Sequence, residues 1–590
     1  MQGYRTFRRR AICAMLGIVA GTQAAYADQP HLASAAFIQL NTSLAQQSAQ
    51  WWYDEVDYMD DIGIDTIIIQ YAAFDGTSFY DTVDNTNDSY YTLSSSNNDP
   101  IEHILHRADQ IDLEVYVGLG LETQFNVTYN GGTGQFEFNY NKSDVIDRAK
   151  SMLTDIDETY GYEPGVGPIH ESLVGWYFPT ELNDSNVIRS GHATFLNDAV
   201  DYYSELSSYA HTETGLNTMI SPYIASDGAF YSPEVRDPAA YAAWWDGILD
   251  DDPYDPDDPF VDIDIIAHQD SVGADHVSIL GSREYFEELK PVLDNNDVEL
   301  WANVEAFHSI GAEAAPFSNF TNQSSTKTAF RDQLNSTAAY AEKTALFEFT
   351  TYMSPRDVGN TTLDNSSDAL YEDYGDYRNA ELDRIQVDSY EYDNPTGTSF
   401  HGTANDPNEI ILTDYVTGLT DGGAGNAFAN GTFVGYSNTS NDSQPLVTFD
   451  LGSQFSLDRV EIWYLVDALS SIFAPQEITG VADAITILGS NDGTNFTEIA
   501  TLNDFISWST DDTNDAFELR RAVIDLGGAD YRYVQLDART FNTWLFLSEV
   551  AFYEGDGASD PTPVPEPASW AAFAMLAGLL ARSGRQRDRR

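Results

Sequence analysis

Between residues 35 and 374, short apolar runs alternate with stretches of helical period. The runs fall at 36–40, 64–71, 113–119, 173–178, 218–223, 263–268, 298–304 and 345–351. Each is short and rich in β-branched or aromatic residues, the pattern of a buried strand. Helical patterns lie between them. In 49–61, for example, Trp52, Val56 and Met59 recur at i, i+4 and i+7, the stripe a helix turns towards a sheet. Eight strands with intervening helices predict a (β/α)8 TIM barrel over residues 35–375. A doubly wound open sheet usually carries a glycine-rich phosphate loop after its first strand, and none follows Leu40. Residues 376–408 are polar and irregular, which predicts a linker. From 409 to 555, short alternating segments separated by Asn, Asp, Gly and Ser turns predict an all-β sandwich. The fold class expected is thus α/β plus all-β.

The two ends have their own texture. Arg5, Arg8, Arg9 and Arg10 precede an apolar stretch at 11–20, and Ala25-Tyr26-Ala27 offers a small-x-small cleavage site. Residues 1–27 therefore predict a signal peptide and an exported body. Residues 556–590 begin as a Gly/Pro/Ser/Thr stalk. Val564-Pro565-Glu566-Pro567-Ala568 then precedes an apolar run at 570–581 and Arg582, Arg585, Arg587, Arg589 and Arg590. This order resembles the PEP-CTERM sorting signal of Gram-negative bacteria. The resemblance implies a secreted or cell-surface protein processed by an exosortase-type protease, touching the membrane only through this helix before processing.

Composition narrows the function classes. The 590 residues are 42% hydrophobic and 13% aromatic, enough for sizeable cores, and carry a net charge of −66. Nucleic-acid binding needs basic surface, so nucleic acid is excluded as a partner. The single cysteine, Cys13, lies in the predicted signal peptide, which removes disulfide frameworks and thiolate metal sites. Zinc-protease, P-loop and nucleophile-elbow motifs are absent from the sequence.

In the second module, Leu419-Thr420-Asp421-Gly422, Val447 to Gly452, Leu488 to Gly493, Tyr531 to Val534 and Leu547-Ser548-Glu549-Val550 stand in an order that resembles the discoidin (coagulation-factor type C) jelly-roll family. The resemblance implies a sugar- or lipid-binding module with a structural Ca²⁺, and makes Asp421 and Glu549 its carboxylates. Ca²⁺ takes ~6–8 oxygens, and Asp421 opens a turn containing Gly422, Gly423 and Gly425, whose carbonyls can face inward. The other reading makes Asp421 an Asx-turn residue and Glu549 a solvated strand residue. Trp544 is a candidate for stacking on a sugar ring, against the commoner fate of core packing.

Barrel enzymes keep their chemistry at the C-terminal ends of the strands. Two carboxyls fall there in aromatic settings: Glu181 after the fourth run (Trp176, Tyr177, Phe178) and Glu305 after the seventh (Trp301, Phe307). Apolar surroundings raise a carboxyl towards general-acid duty, and a pair of carboxyls is what glycoside hydrolysis requires. Gln39, Gln70, Trp176, Tyr223, His268, Gln269, Asn303 and Tyr352 are candidates for binding substrate hydroxyls, or else cap strand ends and fill the core. The placement after strands four and seven resembles the clan of retaining barrel glycosidases, which makes Glu181 the acid/base and Glu305 the nucleophile. Thr180 stands where that clan carries Asn. Phe37-Ile38-Gln39, Trp52, Met59, Gly63 to Thr66, Gln70, Gly175 to Glu181 and Gln269 to Gly273 also resemble an uncharacterised bacterial family of glycosidase-like barrels. The function expected is an exported retaining glycoside hydrolase acting on polysaccharide. The alternatives are a non-catalytic polysaccharide-binding surface or matrix protein, and a polysaccharide lyase.

Overall fold

The computed structural model describes residues 31–80, 92–93, 98–121, 127–130, 135–138, 142–184, 193–225, 237–249, 261–310, 321–356, 367–393, 398–400, 412, 434–438, 446–467, 485–502, 517–538 and 544–555. Both terminal segments, with their expected sorting signals, lie outside this set. The described residues form two compact units, the first running to Leu382 and including Leu412 and Val434, the second holding the rest from Asp383 onward.

The first unit is a closed barrel of eight parallel strands. They are β1 (Ala35–Ile38), β2 (Thr66–Ile69), β3 (Glu114–Gly118), β4 (Leu173–Phe178), β5 (Asn217–Ile220), β6 (Ile265–Gln269), β7 (Glu299–Glu305) and β8 (Lys343–Phe347). Each overlaps one of the apolar runs, but β8 ends at Phe347, and Phe349–Tyr352, expected to end that strand, forms a short helix instead. Successive strand residues face opposite sides, and this alternation sorts the barrel into two cores. Ala35, Phe37, Ile68, Tyr116, Tyr177, Met219, Ile265, Ala267, Trp301 and Ala345 fill the interior. Ala36, Ile38, Ile67, Ile69, Trp176, Phe178, Ile266, Ala302 and Val304 pack instead in the larger core that includes the helices.

The helices are α1 (Ala49–Asp61), α2 (Pro100–Ile111), α3 (Lys142–Ile156), α4 (Ala193–Glu213), α5 (Pro238–Leu249), α6 (Ile279–Asn295), α7 (Lys327–Thr337) and α8 (Ser367–Leu382). In α1, Ser48 caps the N-terminus by accepting the Trp51 N–H, and the stripe Trp52, Val56, Met59 is buried as the spacing predicts.

The linker expected at 376–408 is corrected. Helix α8 runs through Leu382, with Leu370, Tyr374 and Tyr377 buried at i, i+4 and i+7. The Tyr374 hydroxyl donates to the Ala33 carbonyl (3.0 Å), and that of Tyr377 donates to Asn335 Oδ1 (3.0 Å). Strands then begin at once: β9 (Arg384–Ile385), β10 (Ser389–Asp393) and β11 (Thr398–Phe400). Tyrosine supplies the apolar faces in both stretches, so acidic neighbours disguise them as polar chain.

The second unit adds β12 (Val434–Asn438), β13 (Leu446–Asp467), β14 (Ile485–Ser490), β15 (Thr497–Leu502), β16 (Phe517–Ala538) and β17 (Trp544–Glu554). These make a nine-stranded sheet ordered β11-β12-β17-β13-β16-β14-β15, with β9 paired to β17 and β10 to β13. The long strands β13 and β16 pair antiparallel with register shifts between Asp450 and Phe455 and between Leu457 and Arg459, where bulges bend the pair. Val447, Phe449, Val460, Ile462, Ile487, Val534, Leu536, Val550 and Phe552 are buried along it.

Candidate active site

The parallel register brings the expected side chains to one end of the barrel. Gln269 of β6 lies opposite Asn303 of β7, and Glu305 of β7 opposite Phe347 of β8. Asn303 and Glu305 continue the interior row begun by Trp301, and Gln269 continues that of Ile265 and Ala267. Gln39 and Gln70 stand two residues beyond the interior-facing Phe37 and Ile68. Gln39 Nε2 donates to Gln70 Oε1 (2.8 Å). Asn303 is buried and donates through Nδ2 to Ser221 Oγ (3.0 Å), while its Oδ1 has no hydrogen-bond partner among the described residues. Gln269 Nε2 donates both to Glu181 Oε1 (3.0 Å) and to the Ser221 carbonyl (3.0 Å). Tyr223 sits beside Asn183, whose Nδ2 donates to its hydroxyl oxygen (2.7 Å). Tyr352 packs against Phe307, their ring centroids 5.1 Å apart.

The two carboxyls converge on this mouth. Glu181 reaches solvent, yet the protein crowded around it desolvates the carboxyl and pushes it up to about 7, against the opposing hydrogen bond from Gln269. Glu305 is 5% exposed. Burial raises it well above the ordinary carboxylate range, and the negative charges of Asp270 and then of Glu181 add to the rise. That the Glu181 charge acts on Glu305 places both in one electrostatic neighbourhood.

One turn grips Glu305. The Ala274 N–H donates to Glu305 Oε2 (2.7 Å). Gly273 passes so close that a Cβ there would stand 2.2 Å from the Phe307 carbonyl oxygen and 2.8 Å from Glu305 Cβ. A residue with a side chain has no room at that position. Gly118 is similarly constrained, since a Cβ would meet the Gln70 carbonyl oxygen at 2.1 Å.

Two expected binding residues stand elsewhere. Trp176 is fully buried in the core shared with the helices, and its indole N–H donates to Thr214 Oγ1 (3.0 Å). His268 is fully buried among Tyr241, Tyr285 and Phe286, and its Nδ1–H donates to the Gln269 carbonyl (2.8 Å). Burial pushes this imidazole down to about 4. Strand alternation is the cause: Trp176 adjoins the inward Tyr177, and His268 adjoins the inward Gln269, so neither reaches the mouth.

In the second unit, Asp421 and the side chain of Trp544 lie outside the described residues. Glu549 is fully buried and forms an ion pair with Arg384 of β9. A guanidinium offers no oxygen to a cation and repels it, so the surroundings of Glu549 do not fit a Ca²⁺ ligand. Among the described residues no group of three or more His, Cys, Asp or Glu side chains is placed to hold a metal.

A closed parallel barrel with a carboxyl pair and an amide-lined rim at its C-terminal mouth belongs to the class of (β/α)8 proteins whose chemistry, where present, lies at that end. The chain belongs to the family described as Domain of unknown function (DUF4434), which it matches over residues 34–359. No curated protein matches it significantly. Among solved structures it is similar to a candidate α-L-fucosidase from Bacteroides thetaiotaomicron, at 19% identity over 59% of this chain and 95% of that one, with a TM-score of 0.44. A Ruminococcus gnavus GH29 fucosidase in complex with fucose is similar at 9% identity over 91% and 95%, with a TM-score of 0.28. The CpGH89CBM32-6 protein of Clostridium perfringens is similar at 20% identity over 27% and 95%, with a TM-score of 0.15. Likenesses this distant carry neither substrate nor mechanism to this chain.

Proposed function

We propose that the protein is an exported glycoside hydrolase acting on polysaccharide, with Glu181 and Glu305 as its reacting carboxyls. The observation that carries this reading is their meeting across one barrel mouth, where burial raises both, Glu181 to about 7. Glycoside hydrolysis needs one carboxyl protonated, to donate to the leaving oxygen, and one ionised, to attack or stabilise the anomeric carbon. In the retaining form of the reaction Glu305 is the nucleophile and Glu181 the acid/base. The Ala274 N–H favours ionised Glu305 by hydrogen bonding to it, and Gln269 orients the Glu181 carboxyl. Gln39, Gln70, Asn303 and Tyr223 supply donors and acceptors for sugar hydroxyls. The second unit, by its resemblance to discoidin modules, would tether the barrel to polymer and so raise local substrate concentration.

The test is release of reducing ends from a panel of polysaccharides. The wild type should release them, and Glu305→Gln and Glu181→Gln should each lower the rate by about 10²–10⁴-fold. Proton NMR of the first product should show the substrate's anomeric configuration. Zero release by wild type across a broad panel would leave a binding protein, and unsaturated uronate products would indicate a lyase.

A further inference from the structure

Asp270, the residue after β6, is fully buried and plays no part in the reaction just described. Its Oδ1 accepts the Glu305 N–H (3.2 Å) and the Val272 N–H (3.4 Å). Its Oδ2 accepts Gln333 Nε2 (2.7 Å), and the same Nε2 donates to the Glu305 carbonyl (3.2 Å). Gln333, on α7, is itself 2% exposed. The Asp270 N–H donates to the Asn303 carbonyl (2.9 Å), which ties the start of this turn to β7. Four residues later Ala274 reaches the Glu305 carboxyl. A single turn thus holds Glu305 at both ends, by its main chain through Asp270 and by its side chain through Ala274.

A carboxylate is a costly choice for a merely structural acceptor here. It places a second buried negative charge beside Glu305, and two neighbouring carboxyls resist ionising together. Asparagine would offer only one acceptor oxygen, leaving an amide N–H₂ facing either the backbone donors or Gln333. The chosen group instead takes donors on both oxygens.

We propose that Asp270 is a positioning residue of the site: its buried carboxylate fixes the Glu305 main chain and Gln333, and keeps a negative charge beside the Glu305 carboxyl. The proposal deepens the hydrolase reading and rests on Glu305 being one of its reacting groups. Asp270 then governs the pH at which Glu305 ionises. The groups facing Glu305 are consistent with this. The β6 turn brings Asp270 and the Ala274 N–H, the segment after β4 brings the Glu181 charge, α7 brings the uncharged Gln333, and β8 brings Phe347. Both members of the pair are raised, chiefly by burial, and three donors bias Asp270 towards its ionised form. The Asp270 carboxylate therefore opposes ionisation of Glu305, and removing its charge eases that ionisation.

The experiment is an infrared pH titration of the protonated-carboxyl C=O stretch on the full chain, with the Glu305 band assigned by its loss in Glu305→Gln. Asp270→Asn should lower the Glu305 midpoint by about one pH unit or more, because a neighbouring negative charge is removed. Asp270→Glu, which keeps the charge, should hold the midpoint nearer the wild-type value. Should Asp270→Asn fail to fold, Gln333→Leu serves in its place: removing a donor disfavours the Asp270 charge and so lowers the Glu305 midpoint. An unchanged midpoint in Asp270→Asn, or in Gln333→Leu where that variant serves instead, overturns the proposal. Loss of the hydrolase reading shows differently, as zero turnover by wild type, and leaves the titration intact.

Discussion

At the residue scale, neighbours on a strand part company. Trp176 and Tyr177 are adjacent aromatics at the end of β4, and His268 and Gln269 are adjacent polar residues at the end of β6. In each pair one faces the barrel interior and the other the helices. Trp176→Phe should therefore leave KM unchanged and lower stability by about 1–3 kcal/mol, measured by denaturant unfolding beside steady-state kinetics. A raised KM with unaltered stability would return Trp176 to the mouth. His268 makes a pH prediction. Its imidazole titrates at about 4 in the folded chain and near the ordinary ~6.5 when unfolded. Between these values the unfolded chain takes a proton that the folded chain refuses. The stability His268 contributes is complete above about pH 6.5 and is lost as pH falls towards 4. His268→Phe should flatten the acid-side decline of melting temperature, and parallel wild-type and variant curves would contradict this. These residues mark the limit of a reading by strand ends. The runs locate which residues lie near the mouth, but only the two-residue alternation, anchored on an interior residue such as Ala267, says which of them enter it. Asp270 escaped for the complementary reason. It faces away from the interior row, and its role depends on the β6–β7 register and on Gln333, which is 63 residues further along the chain.

At the element scale, the turn from Asp270 to Ala274 is the piece most closely fitted to the site. Ser271 takes a left-handed φ of 55° and its Oγ accepts the Ile224 N–H (2.9 Å), while Gly273 lies against Glu305. Gly273→Ala forces Cβ into the Phe307 carbonyl and the Glu305 side chain. The expected cost is about 1–3 kcal/mol of stability, with loss of most activity as the Ala274 hydrogen bond to Glu305 is pulled apart. Near-normal kinetics in this variant would mean that the turn does not hold Glu305. The eight strands were legible because parallel barrel strands, covered on both faces, read as continuous apolar runs. Helix α8 and strand β10 were not. Their buried faces are made by Tyr374, Tyr377 and Tyr390, whose hydroxyls and acidic neighbours imitate linker composition.

At the scale of the whole molecule, two units carry separate cores, and their stabilities can be perturbed separately. Arg384 and Glu549 are buried together within the sheet unit, with side chains 7% and 0% exposed. Arg384→Ala leaves a buried carboxylate without its cation, and should destabilise that unit by about 3–5 kcal/mol. Calorimetry should show one thermal transition displaced and the barrel's transition unmoved; movement of both together would mean that the units unfold as one. The net charge of −66 is a property of the entire chain. It repels itself and other polyanions until salt screens it, over ~8 Å at physiological ionic strength. Added salt should thus raise the melting temperature, and labelled DNA should show no binding by anisotropy at low salt.

The central claim is that Glu305 attacks the anomeric carbon while Glu181 supplies the proton. Covalent trapping tests it most directly. The protein is incubated with a panel of 2-deoxy-2-fluoroglycosides bearing a reactive leaving group, digested, and mapped by mass spectrometry. The account predicts one glycosyl adduct, on the peptide containing Glu305, absent from Glu305→Gln. An adduct on Glu181 or any other carboxylate, or turnover of the matching sugar with no adduct, would contradict it.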